Sequence, residues 1–244
     1  MIHSKNVFYF KGISNHKKPQ TDGHTSRMQT SFVHTIFYHG KIMAPFILIV
    51  TGPPGCGKTH FSARVKNYFP AITVLSYDTI KERYFDEYGF DNMEEKQRVN
   101  DMSIAAFYEL LENTMRAKKN ILIEYPFNKI HEQKLCDIVS SLGYKAVTIR
   151  LTGDWRALYE RAVHRDVHEP RNPGHLLRVY HKERPVKPED VIPEPDFESF
   201  VEACERKNYR IEIGDVFTVD VTDYNAVDYA SLFAEVEKKV TAEA

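Results

Sequence analysis

Apolar and polar positions follow two rhythms along this chain, and each change of rhythm marks an element. Residues 46–51, Phe-Ile-Leu-Ile-Val-Thr, form an unbroken apolar run of strand length. Similar runs recur at 72–76, 121–124, 146–151 and 217–221. Between them the spacing turns helical, which predicts helices over 58–68, 78–88, 94–118, 129–142, 155–165, 197–207 and 226–240. Pro70 stops the first helix and Gly143 the fourth. On the longest, Val99, Met102, Ala106, Phe107, Leu110, Leu111 and Met115 are expected to share one buried face. The stretch 166–195 is rich in Pro, His and Arg; it should be mobile, with a short helix at 175–181. Apolar strands alternating with helices predict an α/β fold of three layers, its five-stranded parallel sheet covered on both faces. In such sheets ligands bind at the carboxyl ends of the strands.

Residues 1–43 break both rhythms. They contain no Leu or Ala and hold five of the eleven histidines. A disordered extension or an upstream start is the expectation there, with a transit segment or a small extra strand pair as alternatives. The working domain is expected over 44–244, with a lid at about 154–195.

Charge sharpens this division. The net charge of −1 splits into +5 over residues 1–43 and −6 over the rest. A folded part of that sign has no general affinity for a nucleic-acid backbone. Three cysteines, Cys56, Cys136 and Cys204, lack metal-type spacing and suggest free thiols in a reducing compartment. No apolar run is long enough to span a bilayer. A cytoplasmic protein with no membrane partner is expected.

The first strand runs straight into Gly52-Pro53-Pro54-Gly55-Cys56-Gly57-Lys58-Thr59-His60. The spacing Gly-x4-Gly-Lys-Thr between a strand and a helix is that of a phosphate-binding loop. Glycines let the backbone N–H groups converge on one anion, and the following helix adds the positive end of its dipole. Residues 52–60 are therefore expected to bind a nucleoside triphosphate. Lys58 would reach the β- and γ-phosphates, and Thr59 would bind Mg2+. Cys56 is read as a small filler.

Other strand ends add polar residues. Asp78 follows the second strand and suits a base that takes a hydroxyl proton, or an N-cap. Glu124 ends the third and suits the acid that holds Mg2+ through water. Arg156, Arg161 and Arg165 follow the fourth. Arg161 and Arg165 are four apart, so they share a helix face. Histidines 164, 168, 175 and 181 could suggest zinc, but no Cys accompanies them and zinc is not expected. A phosphate contact from His168 or Arg171 is the better reading.

From Phe46 to about Tyr180 the chain resembles the P-loop kinases that phosphorylate polynucleotide 5′-hydroxyls. The wider group includes zeta-toxin-like and antibiotic-phosphorylating kinases, often described as AAA-type ATPase domains. The points of likeness are the phosphate loop, Asp78 with Lys81 three positions on, Glu124, the Arg161/Arg165 pair, and a helix at 175–180. The resemblance implies Asp78 as general base, Lys81 (usually Arg in the family) on the acceptor phosphate or the transition state, Arg161 on the adenine and Arg165 on the transferred phosphate. The expected catalytic set is thus Lys58, Asp78 and Arg165. Arg161 joins residues 52–60 on the nucleotide, and Asp78, Lys81 and Glu124 face the substrate.

The function these residues predict is an ATP- and Mg2+-dependent kinase acting on a hydroxyl of a small-molecule or nucleoside-like acceptor. A polynucleotide 5′-hydroxyl kinase is an alternative, disfavoured by the negative core. An ATPase or nucleotide-binding switch without an acceptor is another. The sequence is silent on oligomeric state.

Overall fold

A computed structural model describes residues 36–38, 41–43, 45–169 and 171–241. Within the 1–43 stretch, β1 (Ile36–Tyr38) and β2 (Lys41–Met43) pair antiparallel. The rest of that stretch lies outside the described residues.

The apolar run at 46–51 becomes β3 (Phe46–Thr51), the central strand. It pairs in parallel with β5 (Ile121–Glu124) on one side and β6 (Lys145–Thr152) on the other. Beyond these lie β4 (Thr73–Ser76) and β7 (Asp215–Asp220), also parallel, so the order is β4-β5-β3-β6-β7. Every residue of β3 is buried. A strand of period two splits its side chains between the faces. Phe46, Leu48 and Val50 enter one core, and Ile47 and Ile49 the other. Burying each such side chain contributes roughly 1.5–3 kcal/mol, which is why an unbroken apolar run belongs at the centre of a parallel sheet.

The first core is closed by α1 (Lys58–Tyr68), α5 (Trp155–His168), α6 (Phe197–Lys207) and α7 (Tyr229–Thr241), through Phe61, Leu158, Phe200 and Phe233 among others. The second is closed by α2 (Tyr77–Tyr88), α3 (Met93–Arg116) and α4 (Lys129–Ser141), through Ile80, Phe107, Leu111 and Leu135. The three-layer P-loop fold with its five-stranded parallel sheet is as expected.

Two expectations are corrected. On α3, Val99, Phe107, Leu111 and Met115 are buried, but Met102 and Leu110 are each 42% exposed. Ser103 takes the inward position, because its hydroxyl donates to the Asn100 carbonyl and meets the Tyr77 hydroxyl, each at 2.8 Å. No helix forms over 175–181 either. A 3-10 turn at Pro173–His175 is followed by single β-bridges, Leu177 to Val191 and Tyr180 to Phe90. The Lys96 ammonium donates to the carbonyls of His175 (3.1 Å) and Leu177 (2.8 Å), groups that a helix would have used internally. Phe85, Phe90, Val99, Leu177 and Tyr180 form a third, small core under this segment.

Among the described residues no helix is long and apolar enough to cross a membrane.

Candidate active site

β3 delivers the chain into residues 52–57 at the carboxyl end of the sheet. Gly52, Gly55 and Gly57 all have positive φ. A side chain on Gly55 would also run into the Leu158 carbonyl, so α5 packs directly on the loop only because that residue has no Cβ. Helix α1 starts at Gly57 with no side-chain cap, so its first N–H groups stay directed at the loop. The Lys58 ammonium folds over the loop and donates to the carbonyls of Gly52 (3.1 Å) and Pro53 (3.0 Å). Cys56 is fully buried beneath it. Burial raises its thiol, and nearby Lys58 pulls the other way.

A cavity of about 940 Å³ opens in front of this loop. Its lining includes Pro54, Gly55, Gly57, Lys58, Thr59 and His60 from the loop and α1, Asp78 and Lys81 from α2, and Arg161 and Arg165 from α5. Residues predicted from three separate places in the sequence therefore share one space. Gly52, Pro53, Cys56 and Glu124 do not line it. Pro53 faces a second cavity of about 510 Å³ behind the loop.

Glu124 sits one layer back and is 6% exposed. The parallel register puts it beside Val50 and Ser76. Thr59 Oγ1 donates to its Oε1 (3.3 Å) and Ser62 Oγ to its Oε2 (3.0 Å). Burial holds its carboxyl above the usual range, opposed by the Ser62 bond and the charge of Lys58. A hydroxyl and a carboxylate in contact at the foot of a phosphate loop are the hard oxygen donors that suit Mg2+.

Asp78 stands in the first turn of α2. It is not the N-cap: Ser76 holds that position, with no side-chain cap bond. Asp78 has no hydrogen bond or ion pair among the described residues. Its carboxylate faces the cavity at the positive end of a helix.

The three arginines separate. Arg156 stacks 3.5 Å over the Phe197 ring and does not line the cavity. Arg161 donates to the carbonyls of Val221 (2.7 Å) and Thr222 (2.5 Å) and lies 4.2 Å above the Tyr224 ring. Arg165 pairs with Asp166, which also takes Arg171. Arg171 lines the cavity and His168 does not.

Several lining residues were not anticipated: Tyr125, Lys207, Tyr209, Tyr224 and, as a cavity residue, His175. Tyr224 follows the carboxyl end of β7, so the strand-end rule that found Asp78 and Glu124 could have found it. Its hydroxyl donates to the Gly55 carbonyl (3.3 Å) and its ring lies 5.3 Å from that of His60. His175 Nε2 bonds Glu82 at 2.9 Å. Burial, then Arg171, Lys81 and Lys96, push its pKa down to about 2, so it donates to Glu82 as a neutral ring.

Comparison with known proteins agrees with this fold. An AAA domain family model (AAA_33) matches residues 47–178, more than half of the chain. No curated protein matches in sequence. A presumed kinase from Chloroflexus aurantiacus j-10-fl superposes with a TM-score of 0.62 and 22% identity, over 80% of this chain and 98% of its own. A gluconokinase from Sinorhizobium meliloti 1021 (TM-score 0.47, 14% identity, 81% and 93% covered) and a sugar kinase from Janibacter sp. HTCC2649 (0.45, 12%, 82% and 99%) superpose less well. The first of these likenesses establishes a shared P-loop fold, and with the sequence match over 47–178 the chain belongs to the AAA domain family.

Proposed function

We propose that this protein is an ATP- and Mg2+-dependent kinase that transfers the γ-phosphoryl group to a hydroxyl of a small-molecule or nucleoside-like acceptor. The observation that carries this reading is the placement of Asp78, without a partner among the described residues, on the same cavity as Lys58 and Thr59. A loop for a triphosphate accounts for half of such a site. An unpaired carboxylate across from it accounts for the half that takes a hydroxyl proton. The kinase name attached to the Chloroflexus relative is consistent with it.

In this reading residues 52–60 hold the nucleotide. Lys58 leaves the carbonyls of Gly52 and Pro53 for the β- and γ-phosphate oxygens. Thr59 and Glu124 would hold Mg2+, which supplies charge neutralisation at those oxygens when bound. Asp78 accepts the proton of the attacking hydroxyl. Arg161 borders the base, and Arg165 turns from Asp166 toward the transferring group. Such a site works by positioning and charge, with little covalent chemistry asked of the protein.

A screen of hydroxyl acceptors with γ-labelled ATP tests the reading, run on the wild type and on Asp78→Asn. Label should move to an acceptor in the wild type and not in the variant. Phosphate release to water at the same rate with and without every acceptor would instead make the protein an ATPase.

A further inference from the structure

Two of the cavity's residues are tyrosines whose hydroxyls bond nothing in the protein. The first, Tyr125, follows Glu124 at the end of β5, so the two side chains leave on opposite faces of the sheet. Glu124 meets Thr59 and Ser62 of α1. Tyr125 goes to the other side, where three rings fix it: Tyr77 edge-on at 4.4 Å, Phe127 at 5.4 Å and His131 at 6.0 Å. Burial, then Tyr77 and the charge of Asp78, hold its hydroxyl well above the usual range, and Tyr209 adds to this. The phenol therefore keeps its proton beside Asp78.

Tyr209 arrives from the opposite core. Asn208 closes α6 in the left-handed region, its N–H donating to the carbonyls of Cys204 and Glu205. Tyr209 then packs in the first core and Ile211 in the second, so the chain passes between the two faces just after this ring. Four tyrosines are buried among the described residues. Tyr77 bonds Asn100 and Ser103, Tyr144 the carbonyls of Met115 and Lys119, and Tyr180 the Asp86 carboxylate. Tyr209, 7% exposed, lines the cavity and bonds none of the described residues. Tyr125 bonds none of them either.

A buried hydroxyl left unpaired is costly, so a fold that pairs the other three and opens this one onto its cavity leaves the partner to come from the cavity. The chemistry of that partner follows from the wall. Asp78 as a carboxylate only accepts, while each phenol both donates and accepts. The complement is a molecule with several groups that each donate and accept, which is to say several hydroxyls.

We propose that Tyr125 and Tyr209 read the acceptor through hydroxyls other than the one at Asp78, and that the acceptor is a sugar or polyol. The inference rests on the kinase reading and narrows its acceptor. In the transfer, the reacting oxygen bonds the γ-phosphorus and its proton passes to Asp78. The bond from that phosphorus to the β–γ bridging oxygen breaks, and ADP leaves with the electron pair.

The test is transfer from γ-labelled ATP, with Mg2+, by the full chain and by Tyr125→Phe and Tyr209→Phe, which keep both rings. The probes are D-ribose, D-glucose and xylitol, against 1-propanol and choline with one hydroxyl each. At least one of the first three should be phosphorylated and the single alcohols should not, since a site built to bond a hydroxyl rejects a molecule that lacks it. Each Phe variant should raise the acceptor KM about tenfold, the loss of one hydrogen bond, with kcat within about threefold. AMPPNP affinity should stay put in both, which reports that the fold is intact. The inference is overturned if none of the three polyhydroxyl probes takes label, if both variants keep the wild-type KM, or if a single alcohol is used as well. Failure of the kinase reading looks different: AMPPNP itself would not bind, or ATP would lose its phosphate to water at one rate whatever was added.

Discussion

The Arg161 guanidinium lies over the Tyr224 ring, 4.2 Å from its centre, while donating to the carbonyls of Val221 and Thr222 on the same loop. Helix α5, the loop after β7 and, through the Tyr224 hydroxyl on Gly55, the phosphate loop are thereby fastened together. Tyr224→Ala removes the stack and should weaken AMPPNP binding about tenfold, a cation–π and packing loss of roughly 1–2 kcal/mol. Tyr224→Phe keeps the ring and should bind within about threefold of the wild type. Equal affinity in all three proteins would remove Tyr224 from the nucleotide site.

Lys58 and Asp78 should fail in different ways. Lys58→Ala loses nucleotide affinity, because no other side chain of the loop offers a cation. Asp78→Asn should bind AMPPNP as the wild type does and transfer phosphate about 10²–10⁴-fold more slowly, the range for loss of a general base. Calorimetry and a single-turnover assay separate the two. Full transfer by Asp78→Asn would end its assignment as the base.

His175 makes the protein acid-sensitive. Its folded pKa of about 2 lies below the ordinary histidine value of 6.5. Between those limits the unfolded chain binds a proton that the folded chain refuses, so stability falls as pH drops below about 6.5 and is unaffected above it. Glu82 works in the opposite sense, its carboxyl held high by burial and Asp78. The comparison that isolates the histidine is therefore wild type against His175→Gln. Melting temperature should drop less between pH 7 and pH 5 in the variant; equal drops would mean that His175 titrates freely.

The face of α3 can be tested by truncation. Phe107 is fully buried against Tyr77, Tyr108 and Phe127, and Phe107→Ala should cost about 3–5 kcal/mol in urea unfolding. Met102→Ala, on an exposed position of the same helix, should stay within about 0.5 kcal/mol.

That contrast also shows where sequence reasoning reached its limit. The strands at 46–51 and 121–124 and the helices at 58–68 and 197–207 were legible to the residue, because apolar runs, glycines and caps are local signals. The inward face of a 24-residue helix was not. A serine displaced Met102 from the core by finding two partners, and nothing in the spacing announces Tyr77 as one of them. The turn at Pro173–His175 had the same kind of cause, a lysine nearly eighty residues earlier that takes its carbonyls. Asp78 and the Arg161/Arg165 pair were readable as facing one cavity because Asp78 sits just past a strand and the pair lies on the helix that follows another. Lys207 was not, since its place depends on how α6 returns over the sheet edge.

The segment from Arg171 to Lys182 is held by helices α2 and α3, and by Asp166 of α5 at its start, and not by the sheet. Asn172 and Tyr180 donate to Asp86, Lys182 pairs with it, and Lys96 holds the backbone between them. The buried residues of its small core are distinct from those of the two that flank the sheet, with the half-buried Tyr84 packed against both it and the second core. In evolutionary terms this makes it an exchangeable module. Drift or insertion there can alter what stands opposite Asp78 while the phosphate loop and both large cores stay as they are. A lineage built on this plan can change its substrates without rebuilding its engine.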